Sequence, residues 1–328
     1  MSKPSSILAV AQRGRSDTVL LAKAAALARA FGFGLELFLC ESEQAYALKH
    51  SYAQNSRGTG LTACVARARE YLLEQRKLID PAVGNVAIDA ACDSPLYEAI
   101  AAKVTRSRPN LVMKAAGGFE QRNHSAFDEN DWQLMRTCPA TLALVQGRHW
   151  RKRLRIAAAV DVSEEETEGL AASIVRIARR LALATGGELD LIYAEHLSAE
   201  HAESRTHAGR LRNLARQADL DERHAYILAG PPERELAAFA AGRDYDVLAL
   251  GALTHRKVAV QLVGNLTATL VEALDSDFLL IKPDSALQGD RGVLRMRDGV
   301  RADTSGEQRD AAMRAWSGFC APGARLGR

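Results

Sequence analysis

The feature that most limits what this chain can fold into is that it repeats itself. The first segment runs SSILAVAQ, a polar turn, a long Ala/Leu helix pattern, then GLELFLCE. After Trp150 the order returns as LRIAAAVD, a polar turn, another Ala/Leu helix pattern and GELDLIYAE. Downstream, Asp93-Ser94-Pro95 opens a helix that leads into PNLVMKAAG, and Gly230-Pro231-Pro232 opens one that leads into YDVLALGAL. Each copy closes with a helix and a final apolar strand, WQLMR then ATLALVQ in the first, LTATLVEAL then DFLLIKP in the second. Each copy is the size of an ordinary domain.

Runs such as ILAVA, LELFL, VLALG and DFLLI lack strict polar alternation, as strands do when helices cover both faces. Alternating strands and helices then predict an α/β fold with two tandem, doubly wound parallel-sheet domains. The expected limits are 1–148 and 149–284, with a Gly-, Arg- and Asp-rich tail at 285–328 expected to be disordered. Local signals place the helix ends. Ser16 and Asp17 are read as caps of the first helix, and Ser163 with Glu166 as a capping box. Ser94-Pro95 is read as N-cap and first helical residue, and Gly186-Gly187 as a helix stop.

Composition narrows the function. The formal net charge is +3, from 43 basic and 40 acidic residues spread along the chain, which is no nucleic-acid footprint and no membrane-binding stripe. The five cysteines are scattered and form no C-x-x-C pair, against a disulfide scaffold or zinc site. The apolar run Ile7–Ala11 is too short for a signal peptide, so a cytoplasmic protein is expected. His196, His201, His207 and His224 are not spaced as a helical metal site, and a solvated surface segment is the expected reading. No G-x-S-x-G elbow is present, Cys138 reads as a small buried hydrophobe, and Trp132 as a packing anchor at the domain boundary.

In a doubly wound sheet, ligands sit beyond the carboxyl ends of the strands at the switch point. In the second copy the end of the first strand is Val160-Asp161, where a carboxylate can take ribose hydroxyls or simply help to start a helix. The other place is the segment after its fourth strand: Gly251, Thr254, His255, Arg256, then Gly264, Asn265 and Thr267. Glycines let backbone N–H groups approach phosphate, and a helix start adds a favourable dipole.

These residues resemble the universal stress protein family, whose nucleotide-binding members carry G-x2-G-x9-G-(S/T). Here Gly251 and Gly264 keep the spacing, Thr254 replaces the second glycine and Asn265 the final hydroxyl. The first copy has Ala11-Gln12 where the family places Asp, and no spaced glycine; it carries instead D-W-x-L-x-R-x-C-P at Asp131–Pro139. That segment is similar to the first domain of the tandem members of the family. The resemblance implies a Rossmann-like fold of the adenine nucleotide alpha hydrolase kind, strand order 3-2-1-4-5, with the two domains packed as an intrachain pseudo-dimer. It implies a non-catalytic stress-response sensor or interaction protein with protein partners. ATP, if taken, is expected in the second copy. A homodimer through exposed sheet edges stays open. So do a nucleotide-hydrolysing enzyme and a carrier of a small apolar ligand in the first copy.

Overall fold

The computed structural model describes residues 5–50, 57–117, 127–163, 169–195, 201–252 and 266–282, apart from 268 and 272. The expected tail, and with it Glu166 of the expected capping box, lies outside the described residues.

The first half lays down β1 (Ser6–Ala11), α1 (Ser16–Phe31), β2 (Gly34–Cys40), α2 (Ser42–His50), α3 (Arg57–Lys77), β3 (Val86–Ala91), α4 (Leu96–Ser107), β4 (Leu111–Ala115), α5 (Glu129–Thr137) and β5 (Thr141–Val145). The second half follows with β6 (Arg155–Ala159), α6 (Leu170–Thr185), β7 (Glu188–Glu195), α7 (His201–Gln217), β8 (Ala225–Ala229), α8 (Pro232–Arg243), β9 (Val247–Gly251) and β10 (Asp277–Ile281). Helical positions at 266–273 stand between β9 and β10.

All strands join one ten-stranded sheet in the order β3-β2-β1-β4-β5-β10-β9-β6-β7-β8. Each half is therefore ordered 3-2-1-4-5 with parallel pairing, and the two fifth strands meet antiparallel at the centre, Leu279 opposite Ala143. The fold is α/β, doubly wound and tandem, as the repeat predicts.

Strand alternation explains the two cores. Ile7, Ala9, Leu35, Met113, Ala158 and Leu279 face α1, α3, α6 and α7. Leu8, Val10, Phe38, Val112, Leu248 and Phe278 face α4, α5, α8 and the helix at 266–273. Both cores run unbroken across the central pair, so the halves share their apolar burial instead of each closing alone.

Three helix starts differ from expectation. Asp17 does not cap α1; it turns back to accept from Gln12 N (2.9 Å) and Arg13 N (3.0 Å) in the preceding loop. Ser94 is not the cap of α4, whose N-cap is Pro95. α6 begins at Leu170 behind Gly169, several residues past Ser163. Gly186 does end α6, at φ 60°, where a side chain would be strained.

Candidate functional site

The switch points follow from the strand order. β1 lies between β2 and β4, and β6 between β7 and β9, so each half opens a crevice beyond the carboxyl ends of those strands. The registers make the two crevices comparable. Leu111 lies beside Ile7 and Thr141, while Val247 lies beside Ile156 and Asp277. Leu111 thus corresponds to Val247 and Thr141 to Asp277. Counting from these anchors, Lys114 corresponds to Leu250 and Asp131 to Thr267. The burial of Leu134 and Met135 against Leu270 and Val271 fits the same alignment.

In the first half both crevice loops close on carboxylates of the chain itself. The loop after β1 wraps Asp17, which also accepts from Tyr71 Oη at 2.7 Å and is 1% exposed. Arg13 lies over the Tyr71 ring and pairs with Glu41. The loop after β4 wraps Asp131. Lys114 Nζ donates to its Oδ1 at 2.7 Å, and Gly117 N and Asp128 N donate to Oδ2 at 2.6 and 3.1 Å. Asp131 N donates in return to Asp128 Oδ1 at 2.8 Å, completing a capping box at α5. The side chains of Lys114 and Asp131 are fully buried. Gln12 adds a donor to Ala115 O and an acceptor for Lys114 Nζ, both at 3.3 Å, in the amide orientation that satisfies both. Burial pushes the Asp131 carboxyl up, and Lys114 opposes it. The lining of this crevice is polar and internally paired, a poor match to an apolar ligand.

In the second half the same places are differently furnished. Asp161 is exposed, and its Oδ1 accepts from Ser163 N at 2.8 Å in a local turn. Val160 is buried and donates its N–H to Ile192 O at 3.0 Å. Gly251 ends β9; a Cβ there would stand 2.7 Å from Leu170 Cδ2, the tip of a side chain that would have to turn aside. Leu250, where the first half has Lys114, is 4% exposed. Thr267 is 1% exposed, and its Oγ1 has no hydrogen-bond partner among the described residues. Thr254, His255, Arg256, Gly264 and Asn265 lie outside the described residues.

His207, expected in a solvated surface segment, is instead largely buried, its side chain 11% exposed. Glu195 at the end of β7 pairs with His207 of α7 at 2.5 Å, and Arg210 donates to Val162 O at 3.1 Å. Burial first, then the charges of Asp161 and Glu195, push the Tyr193 hydroxyl up to about 12. His224 is occupied elsewhere, 2.7 Å from Asp190, which also accepts from Tyr245 Oη at 2.6 Å. Among the described residues no group of three or more His, Cys, Asp or Glu side chains could hold a metal. No helix among them is long and apolar enough to cross a membrane. Cys40 is buried at the end of β2, and burial pushes its thiol up to about 11, against easy oxidation.

The D-W-x-L-x-R-x-C-P segment lies along the seam between the halves. Asp131 holds Lys114, as above. Half-buried Trp132 stands edge-on to Phe127, which in turn packs edge-on against Phe278 of β10. Lys282 donates to Arg136 O at 3.2 Å near the end of α5, a favourable place for a cation. Cys138, fully buried, closes the helix. On the other face, Lys23 of α1 reaches Asp277 of β10 at 2.7 Å, both side chains being at most 5% exposed. Trp150 Nε1 (2.8 Å) and Gln146 N (2.7 Å) donate to the same carboxylate.

No family model matches the chain. Its curated relatives carry a consistent name. It is 22% identical over 303 residues to universal stress protein E of Photorhabdus laumondii, and 21% identical over 305 residues to that of Escherichia coli K12. In both cases 87% of this chain and 96% of the relative are covered. Among solved structures, a functionally unknown protein of Pseudomonas aeruginosa PAO1 superposes with a TM-score of 0.67 at 22% identity, over 87% of this chain and 94% of that one. A universal stress protein of Archaeoglobus fulgidus gives 0.59 at 12% identity, over 85% and 96%. The fold is thus the universal stress protein fold, used twice in one chain. Within that class, the chain resembles the tandem, two-domain type, universal stress protein E, along nearly all of its length.

Proposed function

We propose that this is a non-catalytic stress-response protein that takes a single adenine nucleotide, weakly, in its second unit. The units are read as 1–148 and 149–284. ATP then lies beyond β6 and β9, with Asp161 on the ribose hydroxyls and the segment from Gly251 to Thr267 around the phosphates. The observation that carries this reading is the Thr267 hydroxyl, buried and without a partner among the described residues. Leaving such a group unsatisfied costs about 1–3 kcal/mol. A ligand oxygen removes that cost, and the corresponding place in the first half already holds a charged oxygen acceptor in Asp131. Hydrolysis would need metal-binding carboxylates and an oriented water at the phosphates. Among the described residues, Glu195 near Asp161 is engaged by His207.

The test is calorimetric titration of the full chain with ATP and magnesium, on wild type, Asp161→Ala and Thr267→Val. Binding by wild type is expected, weakened in both variants. Thr267→Val is also expected to stabilise the unliganded protein by about 1 kcal/mol, because it deletes the orphaned hydroxyl at nearly constant volume. Bound ATP at one hundred times Kd should add about 2.7 kcal/mol of stability to wild type. Saturating ATP with neither heat nor a melting shift would refute the nucleotide reading.

A further inference from the structure

The two halves treat one and the same place in opposite ways. In the first, a lysine cation and two backbone amides converge on a carboxylate sealed from solvent, with Lys114 Nζ, Gly117 N and Asp128 N at 2.7, 2.6 and 3.1 Å from Asp131 oxygens. One cation and two N–H donors are the furniture of an oxyanion site, and they suit a phosphate as well as a carboxylate. In the second, Leu250 stands where the cation would be, and Thr267 offers a buried hydroxyl with no partner among the described residues.

We infer that Asp131 is the built-in ligand of the first half: its carboxylate fills an oxyanion position made by Lys114 Nζ, Gly117 N and Asp128 N. The first half then has an anion site that its own chain keeps filled. The inference goes beyond the nucleotide reading above and stands without it. A tethered carboxylate acts at a high effective concentration and keeps free anions out. It also ties Gly117, just past β4, to the start of α5. Asp17 does the same for the loop after β1, where Gln12 N and Arg13 N close on it at 2.9 and 3.0 Å.

The test uses the full chain with Asp131→Ala and Asp131→Asn. Thermal melting is followed in sodium phosphate and in sodium chloride at matched ionic strength. Asp131→Ala leaves the lysine and both amides facing a hole of carboxylate size. Inorganic phosphate is therefore expected to raise its melting temperature, saturably and beyond any rise in wild type. Asp131→Asn fills the hole with a neutral amide and is expected to gain no more than wild type. Recovery of folded Asp131→Ala only in phosphate is the same result in stronger form. Asp131→Ala that responds to phosphate no more than wild type, or folds in neither salt, overturns the inference. The measurement is independent of ATP. Lost phosphate rescue with intact ATP binding removes this inference alone, and rescue without ATP binding removes the nucleotide reading alone.

Discussion

Asp277→Ala should be among the most damaging single substitutions in the chain. The carboxylate accepts from Lys23 Nζ at 2.7 and 2.9 Å, from Trp150 Nε1 at 2.8 Å and from Gln146 N at 2.7 Å. Removing it leaves a buried ammonium with the Gln146 carbonyl at 3.1 Å but no counter-charge, and takes the shared acceptor from two further donors. Breaking a buried pair from one side costs about 3–5 kcal/mol. At about 2–4 °C per kcal/mol for a chain of this order of size, melting falls by roughly 10 °C. Lys23→Ile should cost less, because the carboxylate keeps two donors and can protonate. The double variant Lys23→Ile/Asp277→Thr copies the residues that the other half carries at these places, Ile177 and Thr141. It should recover most of the loss, since a well-filled apolar replacement of a buried pair is often near neutral. Urea unfolding followed by tryptophan fluorescence measures Asp277→Ala and the cycle of wild type, Lys23→Ile, Asp277→Thr and the double variant. The pH dependence carries a sign. Burial already raises Asp277 above 3.8 against the pull of Lys23, and without the lysine it rises further. A raised carboxyl gives its stability in full below the unfolded value and loses it as pH rises through the folded one. The Lys23→Ile deficit should therefore be smallest in acid and grow toward neutral pH. Asp277→Ala within about 0.5 kcal/mol of wild type, a range typical of inert surface changes, would refute the reasoning.

Three further outcomes are expected. Asp161→Asn removes a charge that helps to hold the Tyr193 hydroxyl up at about 12, so the alkaline absorbance titration of that tyrosine should move to lower pH. Because its folded value is raised, Tyr193 contributes stability that is complete below pH 10 and lost as pH climbs through about 12; Tyr193→Phe should flatten alkaline unfolding in that window. Gly251→Ala puts a methyl 2.7 Å from Leu170 Cδ2, a tip that can turn aside, and should cost no more than about 1 kcal/mol in urea unfolding.

Much of the fold was readable because it rests on local rules. Apolar strand runs, Gly186 at φ 60° and the paired Pro231-Pro232 at the start of α8 announce their elements wherever they occur. Helix starts were less readable. Asp17 has the chemistry of a cap, but tertiary contacts spend it on the loop behind it and on Tyr71, 54 residues away. The site was readable by position and not by content. Val160, Asp161 and Gly251 stand at strand ends, yet nothing local distinguishes a glycine kept for phosphate from one that merely ends a strand. A signal for the hidden pairs did exist. Lys114 interrupts LVMKAA, and Asp277 opens DFLLI directly before four buried residues. A charge inside an apolar run is expensive without a partner, so each of these implied an opposite charge somewhere. Which one could not be read, because Lys23 and Asp277 are 254 residues apart.

The placement of these charges bears on why the two units share a chain. A seam between a β5 and a β10 brings Lys23 to Asp277, with the carboxylate further held by Trp150 from the connecting segment. A seam between two first halves would set Lys23 opposite Thr141, burying a cation with no counter-charge. A seam between two second halves would set Asp277 opposite Ile177, burying a carboxylate with none. Either homotypic pairing incurs the desolvation of a buried charge, several kcal/mol for each copy, while the mixed pairing offsets it. The apolar contacts of the seam, such as Leu279 opposite Ala143, discriminate far less, since alternating aliphatic residues suit any of the three arrangements. Specificity of one half for the other thus resides in a few buried polar atoms. The two crevices differ in the same way: Lys114 and Asp131 form a buried ion pair on one side, and Leu250 and Thr267 stand at the corresponding places on the other.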